Sequence, residues 1–281
     1  MKRELYSNRP LSAGFPDLEQ RGVDVHASHQ GSHPYTLAVL DCLDRLVRLE
    51  GEDRRALVIG CGPKPNAVRD LLNRGYETCA VEPMLGSVAL AREFLKAPER
   101  VRVGTAEAIP FESSSFGFVL MESVLEHVDS PPRALAEVFR VLKPGGVLYV
   151  YTTNRTKLHP GLRTSEYSVR GFNWFPKLVQ ECYVFDMLHY SPELANYNPR
   201  PAVHWFTFAT LCGLGREAGF GQFYSPLDVI DERSAFVARS RIRRWALERV
   251  RYRPWLRALA LTQSGGAIFM LKRLESAAPG A

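Results

Sequence analysis

A doubly wound α/β fold with a mostly parallel sheet is predicted by three observations on this 281-residue chain. From residue 56 onward, short β-rich runs alternate with helical patterns, as when crossover helices cover both faces of a sheet. Glycine and proline punctuate the junctions, as in "GCGPKP" and "KPGG", where chain reversals need them. Apolar residues make up 46% and charged residues 23%, an ordinary composition for a chain that buries a core. At this length one domain with an insertion, residues 1–281, is expected.

The elements follow in order. "TLAVLDCLDRLVRLE" carries Leu37, Leu40, Leu43 and Val47 at helical spacing, so residues 1–55 are expected to form an N-terminal helical cap on the sheet edge. "ALVIG" reads as the first strand. "PNAVRDLLNRG" then places Val68, Leu71 and Leu72 on one helix face, with Pro65 at a tolerated first position and Gly75 as the stop. "ETCAVE" is a second strand, "LGSVALAREFL" a helix, "RVRVGTA" a third strand and "FGFVLME" a fourth. "SPPRALAEVFRVL" is a helix capped by Ser130 and stopped by "KPGG", and "VLYVYTTN" is a fifth strand. After a break come a helix near "TFATLCGLGREAGF", a strand near "FGQFYSPLDV", a basic helical segment over 234–262 and a last strand, "AIFMLKRL". The break at 155–203 is too long for an ordinary connection and marks a lid or binding insertion.

Other classes are excluded by composition. The five cysteines, Cys42, Cys61, Cys79, Cys182 and Cys212, are scattered and never form a C-x-x-C pair; reduced thiols in a cytoplasm are expected, without disulfides or a zinc knuckle. "MKRELYSNRPLSAGF" has no apolar run behind its basic residues, so no signal peptide is expected. No segment reaches the ~20 continuous apolar residues of a spanning helix. The net charge of +6 is local: residues 239–257 hold eight arginines against Glu248, giving +7, so the rest of the chain sums to about −1.

The turn after the first strand, Gly60-Cys61-Gly62, lets the backbone bend tightly and a ligand lie against it. Pro65 stands where a dinucleotide fingerprint needs a third glycine, and no G-K-[ST] follows, so neither a nicotinamide dehydrogenase nor a P-loop is expected. Glu82 ends the second strand 20 residues after Gly62, and a carboxylate there points into the crevice beside the glycine turn. Its two oxygens suit the two hydroxyls of an adenosyl ribose.

On these residues the chain resembles the class I S-adenosylmethionine-dependent methyltransferases, from Ala56 to Asn154 with weaker echoes beyond. "VIGCGPKPN" is similar to that family's first motif and "VEPMLGSVALA" to its second. "GTAEAIPFESSSFGFVLMESVLEHV" followed by "ALAEVFRVLKPGGVLYVYTTN" is similar to the third to fifth. The resemblance implies a seven-stranded sheet with an antiparallel last strand and S-adenosylmethionine as cofactor. Carried over, Gly60, Cys61 and Gly62 line the methionine and ribose end, Glu82 holds the ribose, Ala106 and Glu107 border the adenine, Met121 and Glu122 end the fourth strand below the sulfonium, and Pro83 is a further cofactor contact. Val58, Lys64, Thr105 and Gly117 depart from the family's usual residues. Lys64, before a helix N-terminus, is either a partner for the cofactor's carboxylate or a solvated lysine.

Within that branch "ESVLEHV" resembles the ubiquinone-biosynthesis type of O-methyltransferase. His127 is the candidate general base, with an unperturbed pKa near 6.5, and Glu126 its neighbour; the competing reading makes His127 a cap or shield. The branch's metal-associated E-x-x-E-H is incomplete, since Ser123 replaces the first glutamate and Glu122 is one place off; no metal is expected. His26, His29 and His33 in "HASHQGSH" lack accompanying cysteine or carboxylate ligands. In the insertion, Tyr167, Trp174 and Tyr190 are candidate acceptor contacts, against the reading that its rings build their own core.

The reading is a cytoplasmic enzyme that methylates a small-molecule acceptor at a hydroxyl oxygen. The alternatives are a cofactor-binding protein without transferase activity, and an RNA or protein methyltransferase; nucleic acid is not expected, since "MESV" replaces an N/D-P-P-Y-type motif. For the arginine segment three readings compete: a solvated helix covering the sheet edge, peripheral contact with an anionic membrane, and contact with RNA phosphates.

Overall fold

The computed structural model describes residues 40–43, 46–47, 49–157, 166–167, 169–188, 200–230, 237 and 240–273. Its centre is a seven-stranded sheet in the order β3-β2-β1-β4-β5-β7-β6. The strands are β1 (Arg55–Ile59), β2 (Glu77–Glu82), β3 (Val101–Val103), β4 (Phe116–Glu122), β5 (Leu142–Tyr151), β6 (Gln222–Tyr224) and β7 (Ala267–Leu271). The first five are parallel, and β7 runs antiparallel to both β5 and β6. The helices are α1 (Asn66–Asn73), α2 (Leu85–Leu95), α3 (Pro131–Val141), α4 (Lys177–Asp186), α5 (Phe208–Ala218), α6 (Pro226–Val229), α7 (Arg241–Tyr252) and α8 (Pro254–Ser264).

Alternation along the strands makes two core layers. Leu57, Ile59, Val119 and Met121 pack with Leu135 and Leu211 on one face. Ala56, Val58, Phe118 and Leu120 pack with Leu40, Leu43, Val68 and Leu71 on the other. Phe116 breaks the period, sharing a layer with Val119 rather than with Phe118. The β4–β5 register shifts between Phe116 and Phe118; the extra residue reverses which face the side chains meet. Gly117 sits at the shift, and a Cβ there would collide with the Asp53 carbonyl oxygen. Close backbone approach therefore explains the glycine that departs from the family's pattern.

From β1 the chain builds outward through β2 to β3, then returns to place β4 on the other side of β1. That reversal opens a crevice beyond the carboxyl ends of β1 and β4, the place where open α/β sheets bind ligands.

Four local expectations differ from the structure. "KPGG" is not a free turn: Lys143–Gly146 opens the ten-residue β5, with Gly145 at φ 78° absorbing the bend. Ser130 occupies the N-cap of α3, but its side chain makes no cap hydrogen bond. The third strand shortens to Val101–Val103, after which Thr105 bridges Ala108 in a tight turn. The basic segment is two helices rather than one, because Pro254 has no N–H to continue α7 and instead opens α8. Of the cap at 1–55, Leu40, Cys42, Leu43 and Leu49 are buried against the sheet; Leu37 and the three histidines lie outside the described residues.

Candidate active site

The crevice holds a cavity of about 510 Å³, inside the ~300–1,000 Å³ range of small-molecule sites. Its floor is the glycine turn. Gly60 and Gly62 adopt φ of 69° and 63°, a left-handed backbone that side chains disfavour. A Cβ on Gly60 would run into Val124 Cγ2, whereas one on Gly62 would meet nothing within 4 Å. Gly60 N–H donates to the Val81 carbonyl at 2.8 Å, tying the turn to β2.

Glu82, 3% exposed, completes this floor. Its Oε2 accepts from the Gly62 N–H at 3.0 Å and its Oε1 from the Met84 N–H at 3.2 Å. The convergence expected from a twenty-residue spacing is thus a hydrogen bond. A buried carboxylate held by two backbone donors is fixed in orientation, as recognition of neighbouring hydroxyls requires. Pro83, Ala106, Lys64 and Glu122 also line the cavity. Cys61 lines it as well; burial, then the nearby Glu82 charge, push its thiol far up, so it stays protonated and is a poor nucleophile.

At the other side stands the turn after β4. Ser123, at φ 53°, makes the bend, its N–H donating to the Tyr151 carbonyl at 2.8 Å. The 3₁₀ turn Leu125–His127 follows. His127, 5% exposed, lines the cavity with Ser123, Val124 and Val128. Glu126, one residue earlier, does not: consecutive residues on a 3₁₀ turn point about 120° apart. Its carboxylate accepts from Thr152 Oγ1 at 2.6 Å beneath the insertion. Burial, reinforced by the Glu166 charge, pushes the Glu126 pKa up to about 8 against the pull of Thr152. Beside it His204 Nε2 lies 2.8 Å from the Val128 carbonyl, so that nitrogen carries the proton. Burial, then the Lys177 charge, lower the His204 pKa to about 3 and keep its ring neutral.

Five expected site residues take other places. Met121 is fully buried in the core layer opposite Leu120, as strand alternation demands; Leu120 is the one at the cavity. Glu107 does not line the cavity: its Oε1 accepts from Asp129 N–H at 2.8 Å and Ser130 N–H at 3.4 Å, bracing the backbone that leads into α3. Glu126, as described, faces away from His127's cavity. Tyr167 is 2% exposed inside the insertion's own core with Phe172, Val184 and Phe185, its hydroxyl accepting from the Ala202 N–H at 3.1 Å. Trp174 is 40% exposed and does not line the cavity. Tyr190 lies outside the described residues. Among the described residues, Tyr167 and Phe172 thus pack edge to face into a core with Trp205 instead of lining the cavity.

Sequence reasoning missed Ser123, Val124 and Arg200 in the cavity wall. The left-handed Ser123 leaves no sequence signature, since nothing in its residue type demands a positive φ. Arg200 reaches the cavity from the far end of the insertion, at a place no periodicity marks. The exit of that insertion is pinned near His127: Val203 N–H and His204 N–H both donate to the Glu126 carbonyl, at 3.0 and 3.4 Å. Among the described residues no three His, Cys, Asp or Glu side chains gather as a metal ligand set.

Residues 57–150 match the family described as "Methyltransferase domain". The chain is 35% identical over 154 residues to an uncharacterized methyltransferase of Mycobacterium tuberculosis, covering 54% of this chain and 57% of that protein. It is 29% identical over 145 residues to a ubiquinone biosynthesis O-methyltransferase of Hahella chejuensis, covering 50% of this chain and 60% of that protein. The chain thus spans a little over half the length of these curated relatives. Among solved structures, an S-adenosylmethionine-dependent methyltransferase of Methanosarcina mazei shares the fold, with a TM-score of 0.50 and 22% identity over 88% of this chain and 100% of that one. Sheet order, glycine turn, strand-end carboxylate and family match agree: residues 57–150 form a methyltransferase domain with the class I S-adenosylmethionine-dependent fold.

Proposed function

We propose that this chain transfers a methyl group from S-adenosylmethionine to the hydroxyl oxygen of a small molecule. The observation that carries the reading is the bridge from Glu82 to Gly62 on the floor of a cavity whose opposite wall is His127. When bound, the cofactor supplies a methyl group already activated by its sulfonium. What remains for the chain is alignment and removal of a proton from a weakly acidic nucleophile.

Each task has residues suited to it. Glu82 and the glycine turn fit the adenosyl sugar, with Pro83, Met84 and Ala106 as the apolar wall beyond it. Lys64, on the same wall just before α1, is suited to the cofactor's carboxylate. His127 is suited to take the hydroxyl proton, because its imidazole lines the cavity where the acceptor would sit. The 29% identity to the Hahella O-methyltransferase supports oxygen as the atom methylated.

The test is transfer of labelled methyl to a pool of phenolic and aliphatic hydroxyl compounds. His127→Gln is expected to lower kcat by about 10²–10⁴ while cofactor affinity stays within a factor of about two. Unchanged kcat would remove His127 as base and leave it a wall residue. Retained cofactor binding without product from any acceptor would favour the binding-only alternative.

A further inference from the structure

The helical pair α7–α8 carries a surface that neither the sheet nor the cavity uses. Its arginines divide into two sets. Arg251 donates to the carbonyls of Leu227 and Ile230, and Arg257 forms a forked pair with the Asp228 carboxylate. These two clamp the pair to α6. Arg241, Arg249 and Arg253 are instead exposed. The apolar side chains divide the same way. On α7 Leu247 faces inward at 9% exposure, while Ile242 and Trp245 stand out at 76% and 59%. Tyr252, Arg253, Pro254 and Trp255 form a continuous exposed tip where the two helices meet, with Tyr252 83% and Trp255 65% exposed. Leu259, one turn further along α8, is 61% exposed.

This is the reverse of a helix that covers a sheet edge, the simplest expectation from sequence. Ile242, Trp245, Arg249 and Tyr252 recur at three- and four-residue steps, so they share one face, and the Arg249 guanidinium lies 5.5 Å from the Trp245 ring. Soluble surfaces seldom expose two tryptophans, a tyrosine and two aliphatic residues along one pair of helices unless something binds there. Cations set among indoles and a phenol match one environment in particular. The headgroup layer of an anionic bilayer attracts the guanidinium groups, and the amphipathic rings settle at its boundary with the acyl chains. Exposed Ile242 and Leu259 favour lipid over nucleic acid, since aliphatic side chains neither stack on bases nor meet phosphates.

We propose that α7–α8 docks the protein reversibly on the surface of an anionic phospholipid bilayer, with the Tyr252–Trp255 tip inserted and Arg241, Arg249 and Arg253 on the headgroups. Thr262 of α8 accepts through its carbonyl from Asn154 and Thr156, which open the insertion. The docking surface is therefore fastened to the root of the segment that carries Arg200 to the cavity. The proposal does not depend on which acceptor is methylated.

The experiment is sedimentation of the whole chain with vesicles of phosphatidylcholine alone or mixed with phosphatidylglycerol, at low and high salt, beside fluorescence polarisation with a single-stranded RNA. Binding to the mixed vesicles alone is expected, weakening as salt rises. Trp245→Ala/Trp255→Ala and Arg241→Glu/Arg249→Glu are each expected to reduce partitioning at least about tenfold. Lys96→Glu, at the end of α2, is the charge control and is expected to leave it unchanged. All variants should keep the parent Tm, since the altered side chains are exposed. Equal sedimentation with both vesicle types, no sedimentation, or loss as large in Lys96→Glu would overturn the proposal. So would RNA binding that Arg241→Glu/Arg249→Glu abolishes in a chain that ignores the mixed vesicles.

Discussion

The two walls of the cavity are built in different ways. On the β1–β2 side, backbone geometry decides the residue type: two left-handed glycines and a carboxylate that holds one of their N–H groups. On the β4 side, the wall is assembled by contacts distant in sequence. His127 sits on a short turn whose Glu126 carbonyl and carboxylate reach across to residues 203 and 204 and to residue 152. The first wall is a local device carried by the sheet. The second is tied to the chain on either side of the insertion.

That contrast can be broken first at the glycines. Gly60→Ala meets both an unfavourable φ and the Val124 side chain, so a loss of about 3 kcal/mol or more is expected, with cofactor binding abolished. Gly62→Ala meets only the φ and is expected to lose about 1–2 kcal/mol. Urea midpoints for the pair measure the difference; equal losses would mean that Val124 yields and the turn is looser than described.

On the second wall, Tyr167→Phe leaves the buried Ala202 N–H without its acceptor, a loss of about 1–3 kcal/mol. Because Ala202 precedes the strands of backbone bonded to Glu126, acceptor KM is expected to rise while cofactor affinity holds. A rise in the cofactor's dissociation constant of the same size would show that the two walls are not separate.

The smallest effect expected is on pH dependence. Glu126, raised to about 8, is protonated in the folded chain at pH values where the unfolded carboxyl, near 4.5, is not. Its contribution to stability is therefore complete at low pH and lost as pH rises toward 8. His204, lowered to about 3 from 6.5, has the opposite sense: its contribution is present above 6.5 and lost as pH falls. Between about 4.5 and 6.5 the two slopes cancel. Above 6.5 the Glu126 slope stands alone and amounts to at most about 2 kcal/mol by pH 8. Glu126→Gln should flatten the alkaline fall in Tm, and an unchanged profile would locate the titrating group elsewhere.

The same division explains what could be read from the sequence. The glycine turn and Glu82 were legible because a positive φ and a strand-end carboxylate constrain residue type directly. The sheet was legible from alternating patterns, as was its antiparallel last strand from the family resemblance. Met121 does not reach the cavity, because neighbours on a strand face opposite layers and Leu120 takes the cavity side. Glu107 goes elsewhere because nothing local announces that it braces the backbone 22 residues away, ahead of α3. Tyr167 and Trp174 show the general limit: aromatic content marks a packed place but not which side of it faces a ligand. Arg200 enters only through the fold of the insertion, and no pattern in its neighbourhood foretells it.

The central claim is that Glu82 and the glycine turn together grip an adenosyl sugar, and calorimetry of the parent chain against Glu82→Gln tests it most directly. The parent is expected to release heat with both S-adenosylmethionine and its demethylated product, and the variant, folded but with a lower Tm because one backbone N–H loses its acceptor, to bind each about 10–100-fold more weakly. A folded parent that binds neither, or a variant that binds both as tightly as the parent, would contradict it.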